Sequence, residues 1–349
     1  HLKPYTNGAW SMWGRRHSAS DDSIYFTTYS VYALASVRNS TLVDYSVINN
    51  TRSDCRYRSY FPMAVNDTLI DKGAVWLTTQ QQTNATQGWW SGRGRDYIRS
   101  PNTLTAWVLR SLIVAKPYAD TTHQAQIQAS IDRGIAFLLD HQNPDGGWAD
   151  EKGGSGAYGV SNAYTTGMVL YVLSISGNNS ASVIAAKSNA TSWLVNHQLA
   201  SGRFDPTSRD MAGHSYSRLG VYTEAAAYPL LGLNATGINA TNSTIVKGRQ
   251  YLFGVYQTDG SWGYTKSSAA VIFALTKTTI PGGVINLNIT VNIDGTNVTT
   301  VHLTNANPKA TIPLWGEWTN ASSPLGAGNH TVTVYQTCLL YTSDAADEL

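Results

Sequence analysis

"RGIAFLLDHQNPDGGW", residues 133–148, is the stretch that decides the fold. Ile135, Phe137, Leu138 and Leu139 give its first half an apolar helical face. Asn143-Pro144-Asp145-Gly146-Gly147 then ends the helix, because proline lacks an amide hydrogen and glycine takes backbone angles that other residues avoid. Trp148 follows at once. The phrase recurs as "KGAVWLTTQQQTNATQGWW" (72–90), "NATSWLVNHQLASGRF" (189–204) and "KGRQYLFGVYQTDGSWGY" (247–264). "NGAWSMWG", from Asn7, reads as the end of an earlier copy. Trp89, Trp148, Phe204 and Trp262 stand 59, 56 and 58 residues apart. A period of this size predicts stacked repeats, each burying its face on the next.

Each turn leads into a second helix. These are "SIYFTTYSVYALASV" from Ser23, "TLTAWVLRSLIVAK" from Thr103, "SNAYTTGMVLYVLSI" from Ser161, "VYTEAAAYPLLGL" from Val221 and "SSAAVIFALTK" from Ser267. Most are apolar nearly all round, so they are expected to be buried on several sides, whereas the first helices are amphipathic. Amphipathic helix, Gly-Trp turn and buried helix, repeated around a ring, give a mainly α fold: an α/α toroid over residues 1–280, buried helices inside. After Lys277 the pattern changes. "PGGVINLNITVNIDGTNVTTVHL" alternates apolar and polar residues, and Asp294-Gly295 marks a hairpin. With "KATIPLW" and "GNHTVTVYQ" as further strands, residues 281–337 read as a small antiparallel β module, an incomplete sandwich. The end, "CLLYTSDAADEL" (338–349), resembles translated sequencing-adapter DNA, so the natural chain is expected to continue differently after Thr337.

The 349 residues are 42% hydrophobic and only 13% charged, with net charge +2. That balance supports a sizeable core and argues against a nucleic-acid surface, which needs a basic stripe. No run reaches the ~18 apolar residues of a membrane span. The chain begins at His1 and shows no signal peptide, which suggests a cut from a longer protein. Asn-x-Ser/Thr sequons stand at Asn39, Asn49, Asn66, Asn84, Asn178, Asn189, Asn234, Asn239, Asn242, Asn288, Asn297, Asn320 and Asn329. With 24 asparagines and 71 Ser plus Thr in the chain, chance gives about five. The excess predicts an extracellular or cell-surface glycoprotein.

The repeated phrase resembles the QW motif of terpene cyclases and related toroids: basic residue, Gly or Ala, aromatic, aliphatic, then Gln and Gly-x-aromatic. Arg133, Gly134, Phe137, Leu138, Gln142, Gly146 and Trp148 fit it fully, and Trp89 and Trp262 are the aromatic ends of other copies. Its expected role is structural, Gln142 bonding backbone groups left unpaired at a neighbouring helix end and Trp148 covering the end of the ring. Triterpene cyclases use an Asp-x-Asp-Asp acid. "SASDDS" supplies Asp21 and Asp22 but has Ala19 where the first aspartate belongs, and these residues suit a helix N-terminus equally well. Prenyltransferase β subunits bind zinc through Asp, Cys and His. Asp54-Cys55 lies in a basic loop, and His17, His123, His141, His197 and His214 are scattered over turns and helix ends, so no metal or other cofactor is expected.

The longest resemblance is to the thioester-containing domain of the alpha-2-macroglobulin and complement family, over residues 5–337. It rests on the order of 70–81, 104–116, 221–233 and 263–275, with Glu224 and the Gly-Tyr-x-x-Ser-x-Ala run from Gly263 as its more specific points. The resemblance implies a fragment of an extracellular protein that traps proteases or defends a surface, with proteases or cell-surface proteins as partners. The family's Cys-Gly-Glu-Gln thioester stretch is missing here, since Cys55 is followed by Arg56-Tyr57-Arg58. The loop 83–100 also lacks the histidine that assists acyl transfer in some relatives. A terpene-cyclase or prenyltransferase-like enzyme and a non-catalytic surface-binding toroid are the alternatives. "YFTTYS" and "AYTTG" predict an inner mouth lined by Thr, Tyr and Ser rather than a purely aromatic wall, and with it no catalysis by this fragment.

Overall fold

The computed structural model describes residues 9–10, 23–38, 67–92, 100–150, 159–204, 218–263, 265–278, 286–304 and 331–337. The chain divides into two compact units, His1–Thr278 and Thr279–Leu349.

In the first unit two kinds of helix alternate. The inner ones are α1 (Ile24–Arg38), α3 (Pro101–Ala115), α5 (Ala163–Ile175), α7 (Arg218–Ala235) and α9 (Thr265–Thr278). The outer ones are α2 (Asp67–Thr79), α4 (Thr121–Asp140), α6 (Ala181–Asn196) and α8 (Ser243–Gly254). Each inner helix packs on the next, α1 on α3, then α5, α7 and α9, while α2, α4, α6 and α8 pack behind them. The ring of Tyr32 meets the edge of Phe273 at 6.3 Å and brings α1 against α9. The fold is an α/α toroid. On α3, Leu104, Ala106, Val108, Leu109, Leu112 and Ala115 are wholly buried, as an inner-ring helix requires.

Local chemistry sets the helix starts. Ser100 caps α3 at the Thr103 amide with Pro101 behind it, and Asn162 caps α5 at the Thr165 amide. Asp120 and Asn242 do the same for α4 and α8. Where α5 crosses α7 the backbones touch. A Cβ on Gly232 would lie 2.6 Å from the Gly167 carbonyl oxygen, so the crossing admits only glycine. No described helix is long and apolar enough to cross a membrane.

The second unit holds a three-stranded antiparallel sheet in the order β4-β3-β5, with β3 Asn286–Ile293, β4 Thr296–Thr304 and β5 Val332–Thr337. (A two-residue pair, β1 Gln82–Thr83 and β2 Gly88–Trp89, belongs to the first unit.) The β3–β4 hairpin turns at Asp294 and Gly295, whose φ angles of 52° and 84° match the right-handed strand twist. The stretch 309–315, read as a strand from sequence, lies outside the described residues, as does the tail 338–349.

Candidate ligand site inside the ring

The repeated turn is a joint of fixed design. Trp148 Nε1 donates to the Leu138 carbonyl at 2.7 Å, tying the turn to the outer helix before it. The Trp148 amide donates to Thr166 Oγ1 on the inner helix after it, at 2.8 Å. Trp262 repeats the first bond on Leu252 and finds Ser268 Oγ for the second. In the earliest of these copies the partner is Trp90, not Trp89. Trp90 is wholly buried, donates to the Leu77 carbonyl and reaches Thr105, while half-buried Trp89 stacks on Phe137. The two-residue strand β2 takes up Trp89, so the true spacing of Trp90, Trp148, Phe204 and Trp262 is 58, 56 and 58. Trp10, whose amide reaches Thr27 Oγ1, holds the same place in the first copy.

Glutamine ties one repeat to the next, though not as expected. Gln142 Nε2 donates to the Gly146 carbonyl of its own turn and to Ala186, inside α6 rather than at its end. Gln198 does the same to Gly202 and Thr244. Gln81 reaches Ser130 and is itself held by Arg133, whose Nε and Nη2 donate to its Oε1. Gly134 lets α4 close on Leu109 of α3, and Gly146, at φ 93°, leaves room for the Asn189 backbone. Phe137 and Leu138 are core residues, and His141 and His197 end α4 and α6 by bonding the carbonyls four residues back while stacking on Phe137 and Trp193.

The interior follows another rule. Residues three, four and seven apart share a helix face, and on the inner helices those faces converge: Tyr25, Tyr29 and Tyr32 on α1; Trp107 and Arg110 on α3; Tyr164 and Tyr171 on α5; Glu224 and Tyr228 on α7; Lys266 and Phe273 on α9. The rings touch across helices. Tyr29 lies 4.4 Å from Trp107, Trp107 lies 5.7 Å from Tyr228, and Tyr228 lies 5.0 Å from Tyr164. The threonines of "FTT" and "YTT" are not in this lining. Thr27 and Thr166 serve the tryptophan turns, so of the expected Thr, Tyr and Ser the tyrosines are the ones that line the interior, joined by Trp107, Phe273 and two cations.

Those cations differ in their surroundings. Lys266 Nζ pairs with Glu224 Oε2 at 2.8 Å and lies over Trp107 at 5.2 Å, while Ser267 Oγ donates to Glu224 Oε1. Burial opposes the Lys266 charge, but Glu224 together with Tyr164, Tyr25 and Tyr228 outweighs it and holds the ammonium well above its ordinary pKa. Arg110, 4% exposed, stacks 3.8 Å from the centre of Tyr32 and 4.8 Å from that of Trp107. Burial raises the phenols of Tyr29, Tyr164, Tyr171 and Tyr228, which stay neutral at pH 7. At the helix N-termini, Asp150 accepts from Asn162 Nδ2 at 3.1 Å and Thr165 Oγ1 at 2.9 Å.

Asp21, Asp22 and Cys55 lie outside the described residues, as do His17, His214, Asn39, Asn49, Asn66, Asn320 and Asn329. Ser23 is the residue that caps α1, its Oγ accepting from the Phe26 amide. Asn84, Asn189, Asn242 and Asn297 are exposed, Asn178 and Asn234 half-buried; Asn239 is exposed between α7 and α8, and Asn288 lies on β3. His123 bonds Asp71, and no group of three or more His, Cys, Asp or Glu among the described residues is placed to hold a metal. Sequence reasoning did not single out Arg110, Lys266 or the tyrosine stripe as a site. The signal was present: Arg110 is the sole charge in α3, three residues from Trp107.

A family model described as the squalene-hopene cyclase C-terminal domain matches residues 122–275. With the ring of helical hairpins, this match to less than half of the chain indicates an α/α toroid of the terpenoid cyclase and prenyltransferase type. Comparison with curated proteins gives no match.

Proposed function

We propose that the ring interior binds a small, largely apolar ligand of isoprenoid type, making the chain a terpene-cyclase-like protein rather than a protease trap. The observation that carries this reading is the convergence of Tyr25, Tyr29, Trp107, Tyr164 and Tyr228 from four helices onto one space. The match to a squalene-hopene cyclase domain supports the same class of ligand. Binding without cyclisation is the expected behaviour. Arg110 and Lys266 already lie against the aromatic faces that would stabilise a carbocation, and their charge repels one. The protease-trap reading draws on Glu224 and the run from Gly263, which meet in the Lys266–Glu224–Ser267 contact. That contact is accounted for by its joining of α7 to α9.

Equilibrium binding of radiolabelled squalene tests the proposal. Saturable uptake of one molecule per chain, weakened at least tenfold by Tyr25→Ala or Tyr29→Ala, supports it. No saturable uptake, or covalent protease capture by the parent chain that methylamine abolishes, overturns it in favour of the trap.

A further inference from the structure

We infer that the interior selects a ligand carrying a single carboxylate on an apolar body, and that Arg110 is the residue that receives it. The inference rests on the interior being the ligand site and names the chemistry that site prefers.

Arg110 is buried in the middle of α3, and among the described residues no carboxylate pairs with it. Its contacts are the faces of Tyr32 and Trp107. A guanidinium stacked on aromatic faces still points its N–H groups outward in its own plane, and that edge fits a carboxylate with two parallel bonds. Nε is buried without an acceptor. Two neighbours share that condition: Trp107 Nε1 and the Tyr29 hydroxyl are also buried and unpartnered, and their rings lie 4.4 Å apart. Arginine Nε and tryptophan Nε1 can only donate. Buried donors without partners are rare enough that three on side chains meeting at Trp107 ask for an oxygen acceptor.

Charge narrows the acceptor. Lys266 is answered by Glu224, so along the inward stripes Arg110 alone carries a positive charge without a carboxylate among the described residues. One net positive charge in a buried site matches a monoanion, whereas a diphosphate brings two or three negative charges. The half-buried rings of Tyr25, Tyr29, Tyr32 and Phe273 offer the apolar body a wall beside this group.

Titration calorimetry with monomeric ligands tests the inference. The probes are geranylgeranoic acid, its methyl ester, geranylgeranyl diphosphate, and oleate as a straight-chain acid. Wild type should bind geranylgeranoic acid or oleate at least tenfold more tightly than the methyl ester, the tighter acid naming the source of the carboxylate. Arg110→Met should erase the preference while still taking up the ester. Arg110→Lys should keep the charge but lose the fork, cutting the preference several-fold. Equal binding of acid and ester, a preference that survives Arg110→Met, or a diphosphate that binds more tightly than either acid overturns the inference but leaves the apolar site standing. No saturable binding of any probe overturns both.

Discussion

The outer joints and the inner lining of the toroid are built by opposite logics. At the joints the same contacts recur: an indole N–H to the preceding outer helix at Trp90, Trp148 and Trp262, and a glutamine to the next outer helix at Gln81, Gln142 and Gln198. Inside, the inward faces hold different residues from helix to helix: Tyr25 and Tyr29, Trp107 and Arg110, Tyr164, Glu224 and Tyr228, and Lys266. Repetition serves stacking, which has the same requirement at every step. The non-repeating lining includes a half-buried lysine paired with Glu224 and a buried arginine with no carboxylate beside it among the described residues, and the latter does not favour folding. Where the repeat is broken is therefore where a ligand is expected.

The comparison breaks most visibly in alkali. Tyr29, Tyr164, Tyr171, Tyr228 and Lys266 all hold their protons more tightly in the fold than in the open chain. Raised folded values mean that stability is intact below the unfolded values of about 10 and is lost as pH climbs toward the folded ones. The melting temperature should stay flat from pH 8 to about 10 and then fall steeply. A gentle, even decline from pH 8 would place these groups in solvent.

Next in size are the joint tryptophans. Trp148→Ala should cost ~3 kcal/mol or more, and Trp262→Ala should behave likewise. Trp90→Ala should match them, while Trp89→Ala should cost clearly less, because Trp90 is the wholly buried member of the pair. Equal melts for the Trp90 and Trp89 variants would restore the 59-residue register. Smaller again is Gln142→Ala, which removes bonds of 2.8 and 3.0 Å and should cost about 2 kcal/mol. A change within error would make the glutamine a follower of the turn rather than a tie between repeats.

The repeat, the two helix types and the hairpin at Asp294-Gly295 are legible in the sequence because each is set by local chemistry: a period, a stop signal, a turn that needs positive φ. The sequence pattern allows the register to start at Trp89 or Trp90, because two adjacent tryptophans fit it alike and only burial tells them apart. The interior is less legible for a different reason. "YFTTYS" offers Tyr25, Thr27, Thr28 and Tyr29 together, and which of them faces inward depends on how α1 is rotated against the Trp10 turn. Likewise, Glu224 and Lys266 are 42 residues apart, and no spacing rule joins residues across two helices of a ring.

The central claim is that the joints hold the fold while Arg110 is kept for a ligand against the interest of stability. Equilibrium urea unfolding of Arg110→Met without ligand tests it most directly. The guanidinium is buried and lacks a carboxylate among the described residues, and methionine fills a comparable apolar volume against Tyr32 and Trp107. The account predicts an unchanged slope and a midpoint that rises, by about 1 kcal/mol of stability. A midpoint that falls by that amount or more would show that Arg110 is a structural member of the core and would contradict the account.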